Sequence, residues 1–367
     1  MYQDTLRPLL FRLDAERAHS VTLWGARLAQ SLAASWIESH FAFSDDRLSQ
    51  TLWERSFPNP LGLAAGADKN ARAIRFWHAI GFGFVEVGSV SAQPSEGNPK
   101  PRAFRLPDDD ALINRMGLNN DGADAIAHRL SGDASHSCPL GVNVAKTHDP
   151  SIMGAAARED FVYSFRCLAP HADYVVLNIS CPNTREGKTF EDTTALDDLL
   201  TAIRSVQAKS PAHRVPLLVK VSPPVSDCVT YDSQLEGVVD VATAHNIDGY
   251  IATNTASDRQ GLTTDPERLT AIGAGGLSGQ PLESRARHWV RHLYRLTEGD
   301  VPIIGVGGIH DADSAYDRIR AGASLLQIYT ALVYEGPGLV RRIKQGLVDR
   351  LERDGFSSLS EAVGVDA

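Results

Sequence analysis

Tyr174-Val175-Val176-Leu177-Asn178-Ile179-Ser180-Cys181-Pro182-Asn183 is the stretch that decides how this chain folds. Its first four residues are apolar, and such an uninterrupted run predicts a strand that is covered on both faces. Where the run ends, Asn178 and Asn183 provide carboxamides and Cys181 provides a thiol, at a turn that Pro182 restricts. This arrangement can hold a polar substrate beside a proton-abstracting group, so Cys181 is the first candidate for chemistry.

Seven other segments have the same near-continuous β-branched and leucine content. They cover residues 61–66, 84–90, 140–146, 217–222, 249–255, 301–309 and 325–332, and helical patterns alternate with them. Eight strand–helix units predict an α/β fold, a (β/α)8 TIM barrel. A doubly wound open sheet is the alternative, but it usually has fewer strands and a Gly-x-Gly-x-x-Gly turn after the first, and the sequence shows neither.

Polar residues and glycines follow the ends of these predicted strands. In a TIM barrel the carboxyl ends of all strands lie at the same face, which is the catalytic face. These residues are therefore expected to lie close together there. They are Asp68, Lys69 and Asn70; Ser89; Asn143 and Lys146; Asn178, Cys181 and Asn183; Lys220; Thr253, Asn254 and Thr255; Gly307 and Gly308; and Tyr329 and Thr330.

Residues 1–45 form a helical extension that differs from the rest, residues 46–367. Leu6, Leu9, Leu10 and Leu13 recur at helical spacing, and Asp14 is a candidate N-cap for a second helix. Amphipathic helices usually pack on a core, which is one interpretation. Trp24, Trp36, Phe41 and Phe43 suit the other, in which the helices dip into a membrane surface.

Composition excludes several classes of function. The chain has 367 residues and a net charge of −9, which argues against a nucleic-acid partner. Its four cysteines form no Cys-x-x-Cys pair, so no zinc or iron–sulfur site is predicted, and they indicate a reducing compartment. The sequence has no recognisable signal peptide and no apolar run that could span a bilayer, so an intracellular location is expected.

Two glycine-rich turns, 273–279 and 305–308, can cradle a phosphate with bare backbone amides, and Tyr329-Thr330 ends the last strand beside them. Together they favour a phosphate-bearing cofactor. Lys220 ends an apolar strand and should meet a negative partner at the barrel mouth, either on a ligand or on a structural carboxylate. Lys69 and several asparagines can grip a small planar molecule with carboxylate, imide and ring N–H groups; these asparagines are Asn114, Asn178, Asn183 and Asn254.

Several motifs together resemble the dihydroorotate dehydrogenase family. The motifs are residues 59–66, 96–99 with Pro101-Arg102, 114–117, 178–184, 252–255, 275–279, 304–308 and 327–330. The extension, including residues 11–19, is similar to that of the membrane-associated, quinone-dependent class. The resemblance implies a monomeric FMN enzyme of pyrimidine synthesis that oxidises dihydroorotate to orotate and passes electrons to a membrane quinone. It also implies peripheral attachment at the cytoplasmic face of the cell membrane.

The resemblance assigns site residues by motif. Those on FMN motifs are Ala65, Gly66, Ala67, Asp68, Lys69, Ser89, Asn143, Asn178, Lys220, Thr253, Gly276, Gly308, Tyr329 and Thr330. Those on substrate motifs are Lys69, Asn114, Arg115, Met116, Gly117, Leu118, Asn178, Asn183, Asn254 and Thr255. His19 and Arg105 resemble residues of the quinone tunnel.

Cys181 departs from the class that the extension indicates. The quinone-dependent class usually has serine as the base, and a cysteine resembles the soluble class, which reduces fumarate or NAD. We follow the extension for the acceptor, because it is the part that would build a quinone site. Cys181 is expected to remove the C5 proton, with residues 184–189 as a lid that excludes water.

Three other functions are alternatives for this sequence. A 2-hydroxy-acid oxidase would normally need a catalytic histidine near the substrate. A reductase of pyrimidine bases would need a longer chain with iron–sulfur cysteines. A catalytically silent, membrane-bound scaffold predicts that the purified protein carries no flavin.

Overall fold

The computed structural model describes residues 2–132, 138–180, 189–209, 214–224 and 232–367. The strands are β1 Gln50–Leu52, β2 Arg55–Phe57, β3 Leu61–Leu63, β4 Phe84–Val90, β5 Ala103–Leu106, β6 Ala111–Asn114, β7 Leu140–Val144, β8 Tyr174–Asn178, β9 Leu217–Val221, β10 Gly249–Ala252, β11 Gly276–Gly279, β12 Ile303–Val306 and β13 Leu325–Ile328. Eight of them close into a parallel barrel in the order β10-β12-β13-β3-β4-β7-β8-β9. The predicted TIM barrel is confirmed, with each predicted segment present as a strand of equal or shorter length.

The helices run between and around these strands. They are α1 Arg7–Phe11, α2 Ala15–Leu32, α3 Ala34–Phe41, α4 Ile74–Ala79, α5 Ala123–Ser131, α6 Gly154–Leu168, α7 Thr193–Ala208, α8 Ser233–Ala244, α9 Pro266–Ile272, α10 Glu283–Leu296, α11 Ala312–Arg320, α12 Thr330–Glu335, α13 Gly338–Asp354 and α14 Leu359–Ala362. Short helical turns cover Tyr2–Leu6, Asp46–Leu48, Pro107–Asp109, Ala169–His171, Thr189–Glu191 and Gln280–Leu282.

The side chains of β8 show how the barrel is filled. Tyr174 and Val176 pack in the cluster inside the barrel, whereas Val175 and Leu177 pack in the cluster beneath the helices. Side chains alternate along a strand, so Asn178 continues the inward series toward the mouth. The hairpin β1–β2 closes the opposite end with Phe57, which is fully buried. The apolar layer at the bottom therefore supports a polar layer above it.

A three-stranded antiparallel sheet lies outside the barrel and corrects part of the sequence interpretation. Residues 276–279, taken as part of a glycine-rich turn, form β11, which pairs with β6, and β6 pairs with β5. The glycines serve close packing here, because a Cβ atom added at Gly276 would lie 2.1 Å from Thr255 Oγ1.

The N-terminal extension packs against the barrel. Asp14 caps α2 by accepting a hydrogen bond from the Arg17 N–H, as predicted. The sequence predicted two helices, and the structure adds α3 around Trp36. Arg102 Nη2 lies 2.8 Å from Glu16 Oε1, so a largely buried ion pair joins α2 to the segment before β5. Within the described ranges, no helix is both long and apolar enough to cross a bilayer.

Candidate active site

Glu86 is the centre of a buried polar layer inside the barrel. Its carboxylate accepts hydrogen bonds from Asn143 Nδ2 at 3.0 Å, from Tyr174 OH at 3.2 Å and from Gln327 Nε2 at 2.6 Å. Burial raises the pKa of Glu86, and the Lys220 ammonium and the three donors oppose that rise. Lys220 therefore lies near a structural carboxylate, which is one of the two partners that the sequence predicts.

A second ring of polar groups lies at the strand ends above this layer. Asn178 Nδ2 donates to Ser89 Oγ at 2.9 Å, and Ser89 Oγ donates in turn to Asn143. Asn254 Nδ2 contacts Asn178 Oδ1 at 3.1 Å and the Ser180 carbonyl at 3.0 Å. The fold thus brings Ser89, Asn143, Asn178 and Asn254, from four different strand ends, into one network, and Lys220 lies near the polar layer beneath it.

The end of β3 combines an open backbone with a structural carboxylate. Gly66 has a φ of +100°, and a Cβ atom added there would meet nothing within 4 Å, so the backbone borders open space. Ala65 and Ala67 flank it, and Lys69 Nζ donates to Asn119 Oδ1 at 2.6 Å. Asp68 is fully buried and accepts from the N–H groups of Arg72 and Ala73. Its carboxylate stabilises this turn, and a contact to a cofactor stays a prediction.

The predicted phosphate cradle lies at the adjacent ends of β12 and β13. Gly307 and Gly308 follow β12 with φ of +109° and +77°, and Tyr329 precedes α12, which begins at Thr330. Thr330 Oγ1 donates to Ser278 Oγ at 2.9 Å, which links β11 to the cradle. A Cβ atom at Gly307 would lie 3.8 Å from Thr253 Oγ1, so the end of β10 is adjacent. Gly307, Gly308, Thr253, Tyr329 and Thr330 therefore lie at adjacent strand ends, whereas Gly276 lies against Thr255.

The predicted substrate segment is only partly directed at the mouth. Asn114 ends β6, and its Nδ2 contacts the Gly276 carbonyl at 3.4 Å. Arg115 instead donates to the carbonyls of Ile272 and Ala274, and its guanidinium stacks over Phe104. The Met116 carbonyl accepts from the Asn98 N–H, Gly117 has a φ of +71°, and Leu118 is buried. Thr255 packs against Gly276.

His19 and Arg105 connect the extension to the barrel. His19 Nδ1 on α2 lies 3.4 Å from Tyr329 OH at the end of β13. Burial and the nearby Lys69 ammonium lower the pKa of His19 to about 4, so the imidazole is neutral at physiological pH. Arg105 lies 4.4 Å from the centre of the Phe11 ring and donates to carbonyls at the end of α1. Helix α2 therefore reaches the mouth of the barrel.

Several predicted residues lie outside the described residues, namely Cys181, Asn183 and the lid 184–188. The chain that leads to them is fixed, since Ser180 is buried and its hydroxyl donates to the Lys220 carbonyl at 2.9 Å. Sequence reasoning missed Glu86, Gln327 and Arg318. Glu86 had a readable signal, because a glutamate two residues after Phe84 in an apolar strand must share the inward face.

Comparisons with known proteins find relatives over nearly the whole chain. A family model described as dihydroorotate dehydrogenase matches residues 47–351. A protein of Gloeobacter violaceus named dihydroorotate dehydrogenase (quinone) is 45% identical and covers 98% of this chain and 97% of its own. A protein of the same name from Roseiflexus sp. is 47% identical, with the same two coverages. The crystal structure of DHODH from Eimeria tenella in complex with ferulenol matches with a TM-score of 0.83 at 34% identity, over 96% of each chain.

Proposed function

Because this chain belongs to the dihydroorotate dehydrogenase family, we propose that it oxidises dihydroorotate to orotate with bound FMN and that a membrane quinone accepts the electrons. The observation that carries the proposal is the polar network at the barrel mouth, in which Asn178, Asn254 and Lys220 meet. The relatives' quinone-dependent name supports the choice of acceptor. The contact between His19 on α2 and Tyr329 supports it as well, since the extension reaches the site.

The described residues fit FMN. Gly308 is buried, and its N–H donates no hydrogen bond to any described residue, as expected of an amide that binds a phosphate oxygen. Open space above Gly66 leaves room for a planar ring. Lys220 brings a positive charge to the ring side of the mouth. When bound, the flavin supplies the acceptor for the hydride that leaves C6 of the substrate.

The chain's own residues supply the remaining chemistry. We assign Cys181 as the base that takes the C5 proton, since a thiol, with an ordinary pKa of about 8.5, reaches its deprotonated form nearer to neutral pH than an alkyl hydroxyl does. Lys69 and Asn254 hold the carboxylate and amide edges of the substrate, and Asn178 contacts both ligands. Lys220 stabilises the negative charge that develops at the mouth. The segment 184–189 excludes water.

The identity of the electron acceptor is tested by comparing turnover with different acceptors. With dihydroorotate as donor, a ubiquinone analogue or menaquinone is expected to support turnover at least about tenfold faster than fumarate or NAD at equal concentration, because quinones are apolar and α2, which reaches the mouth, exposes apolar side chains such as Trp24 and Leu28. Reduction of each acceptor is followed spectroscopically. A preference for fumarate or NAD would overturn the assignment, and purified protein without a flavin spectrum would favour the scaffold.

We also propose that the extension attaches the protein peripherally to the cytoplasmic face of the cell membrane. Its exposed face carries large apolar side chains, with two-thirds or more of Trp24, Leu32 and Trp36 accessible. Beside this face, a cleft of about 790 Å³ is lined by four arginines, Arg27, Arg72, Arg75 and Arg129. Arg72 and Arg129 both pair with Asp121, and four guanidinium groups around one cleft suit anionic lipid headgroups.

Replacing Trp24 and Leu28 together by serine is expected to lower binding to phosphatidylglycerol-containing vesicles by about tenfold or more, because apolar area no longer enters the interface. Vesicle cosedimentation measures the effect. The matched control replaces Met153 and Val365, which are also exposed and lie outside the extension. Equal binding by both double variants would contradict the attachment through α2.

A further inference from the structure

Arg318 on α11 is fully buried beneath the glycine turn that follows β12. Its Nη2 donates to the Gly307 carbonyl at 2.8 Å and to the Glu283 carbonyl at 3.0 Å. Its Nε and Nη1 atoms are buried and have no hydrogen-bond partner among the described residues. A buried guanidinium with two orphaned donors is costly unless another interaction compensates it.

The charge of Arg318 also lacks a direct counter-charge. Burial lowers its pKa to about 9, so the side chain is still protonated at neutral pH. Two acidic residues, Glu283 and Asp317, favour the charged form of Arg318. The Glu283 carboxylate forms no ion pair with Arg318 and instead lies 3.6 Å from His310 Nδ1. Asp317 pairs with Arg287 at 2.5 Å. Within the described ranges, Arg318 therefore has no carboxylate in ion-pair contact.

Arg318 contacts the peptide between Gly307 and Gly308 through the Gly307 carbonyl. In a trans peptide the carbonyl and the following N–H point in opposite directions. Because Arg318 binds the Gly307 carbonyl from below, the Gly308 N–H faces away from Arg318. A hydrogen bond at the carbonyl polarises the peptide and strengthens the N–H as a donor. That N–H has no acceptor among the described residues.

Close packing holds the two carbonyls in place. A Cβ atom added at Gly308 would lie 2.3 Å from Glu283 Cα, so the turn lies directly against the start of α10. Arg318 joins the two segments by donating to one carbonyl of each. Arg318 therefore links the glycine turn to the start of α10.

We propose that Arg318 is a positioning residue for the phosphate group of the flavin, acting from behind the glycine turn without touching the ligand. The phosphate dianion compensates the buried guanidinium through the Gly307–Gly308 peptide. The inference rests on the proposed function only in requiring a phosphorylated flavin. On this proposal, Arg318 makes the protein bind FMN more tightly than riboflavin, which lacks the phosphate.

The test compares FMN and riboflavin binding to flavin-free protein by fluorescence titration. Arg318→Met is expected to weaken FMN binding by about 10- to 100-fold and to change riboflavin binding by less than about threefold. Arg318→Lys, which keeps the charge, is expected to recover most of the FMN affinity. Arg318→Gln keeps hydrogen-bond donors but removes the charge, and its FMN affinity is expected to be as low as that of Arg318→Met. It therefore also tests the proposal if Arg318→Met does not fold.

The outcomes separate the two proposals. Equal losses for FMN and riboflavin, or no loss of FMN affinity in the methionine and glutamine variants, would overturn the role of Arg318. If wild-type protein bound neither flavin, the proposed function itself would fail. A second measurement uses inorganic phosphate, which is expected to raise the melting temperature of flavin-free wild-type protein more than that of Arg318→Gln. An equal rise in both would count against the inference.

Discussion

Replacing Cys181 by alanine is expected to slow dihydroorotate oxidation by about 10²- to 10⁴-fold while leaving the flavin content of the purified protein unchanged. The reason is that the proposed base contributes to proton transfer in the transition state, whereas the proposed cofactor site lies elsewhere, at the ends of β12 and β13. Stopped-flow measurement of flavin reduction by dihydroorotate isolates this step from the reaction with quinone. A loss below about threefold would remove Cys181 from the mechanism.

The serine variant examines the acid–base character of the thiol. Cys181→Ser is expected to lower turnover near neutral pH and to shift the pH profile to alkaline values, because an alkyl hydroxyl ionises far above the thiol pKa of about 8.5. Cys167→Ser is a matched control, since Cys167 lies on α6 with its Sγ 3.5 Å from Asp124 Oδ1. It should retain the wild-type rate and profile. Unchanged turnover of Cys181→Ser across pH would contradict the assignment.

Replacing Glu86 by glutamine is expected to destabilise the flavin-free protein by about 3–5 kcal/mol and to lower its flavin content. Glutamine keeps one acceptor for Asn143 but removes the negative charge near Lys220. Taking away one member of a buried charge pair leaves the other charge uncompensated in the barrel. Urea unfolding measures the stability, and the ratio of flavin to protein absorbance measures the cofactor.

The double variant Glu86→Gln/Lys220→Met is the control for charge. Removing both charges is expected to restore a large part of the lost stability, whereas flavin binding should stay weak because Lys220 faces the mouth. A single glutamine variant as stable as wild type would show that Glu86 carries no charge that the fold depends on. If the changes in unfolding free energy caused by the two substitutions simply added in the double variant, the two residues would not interact.

The barrel could be predicted from the sequence because its signals are local. Buried parallel strands need continuous apolar runs, and polar residues after such a run must lie at the mouth. The strand around Val175 and the cap at Asp14 followed from neighbouring residues alone. The network of Asn143, Asn178 and Asn254 also followed in outline, since the carboxyl ends of parallel strands meet at one face.

The contacts of the polar layer could not be predicted in the same way. Glu86 and Gln327 are 241 residues apart, and only the closed barrel brings them within 2.6 Å. The sheet that joins β5 and β6 to β11 could not be predicted, because a glycine-rich segment indicates a turn, whereas Gly276 permits close packing against Thr255. A single sequence likewise does not indicate whether a lone charged residue on a helix is exposed or buried.

The sequence by itself determined the fold class, the face of the barrel that carries the site, and the chemical types of group that meet there. It did so because strand burial and side-chain alternation are properties of consecutive residues. Only the tertiary structure decided which charges compensate one another. Lys220 lies near Glu86 and Arg318 binds the Gly307 carbonyl because barrel closure and helix packing join distant segments, and the energy of a buried charge depends on what those segments place around it.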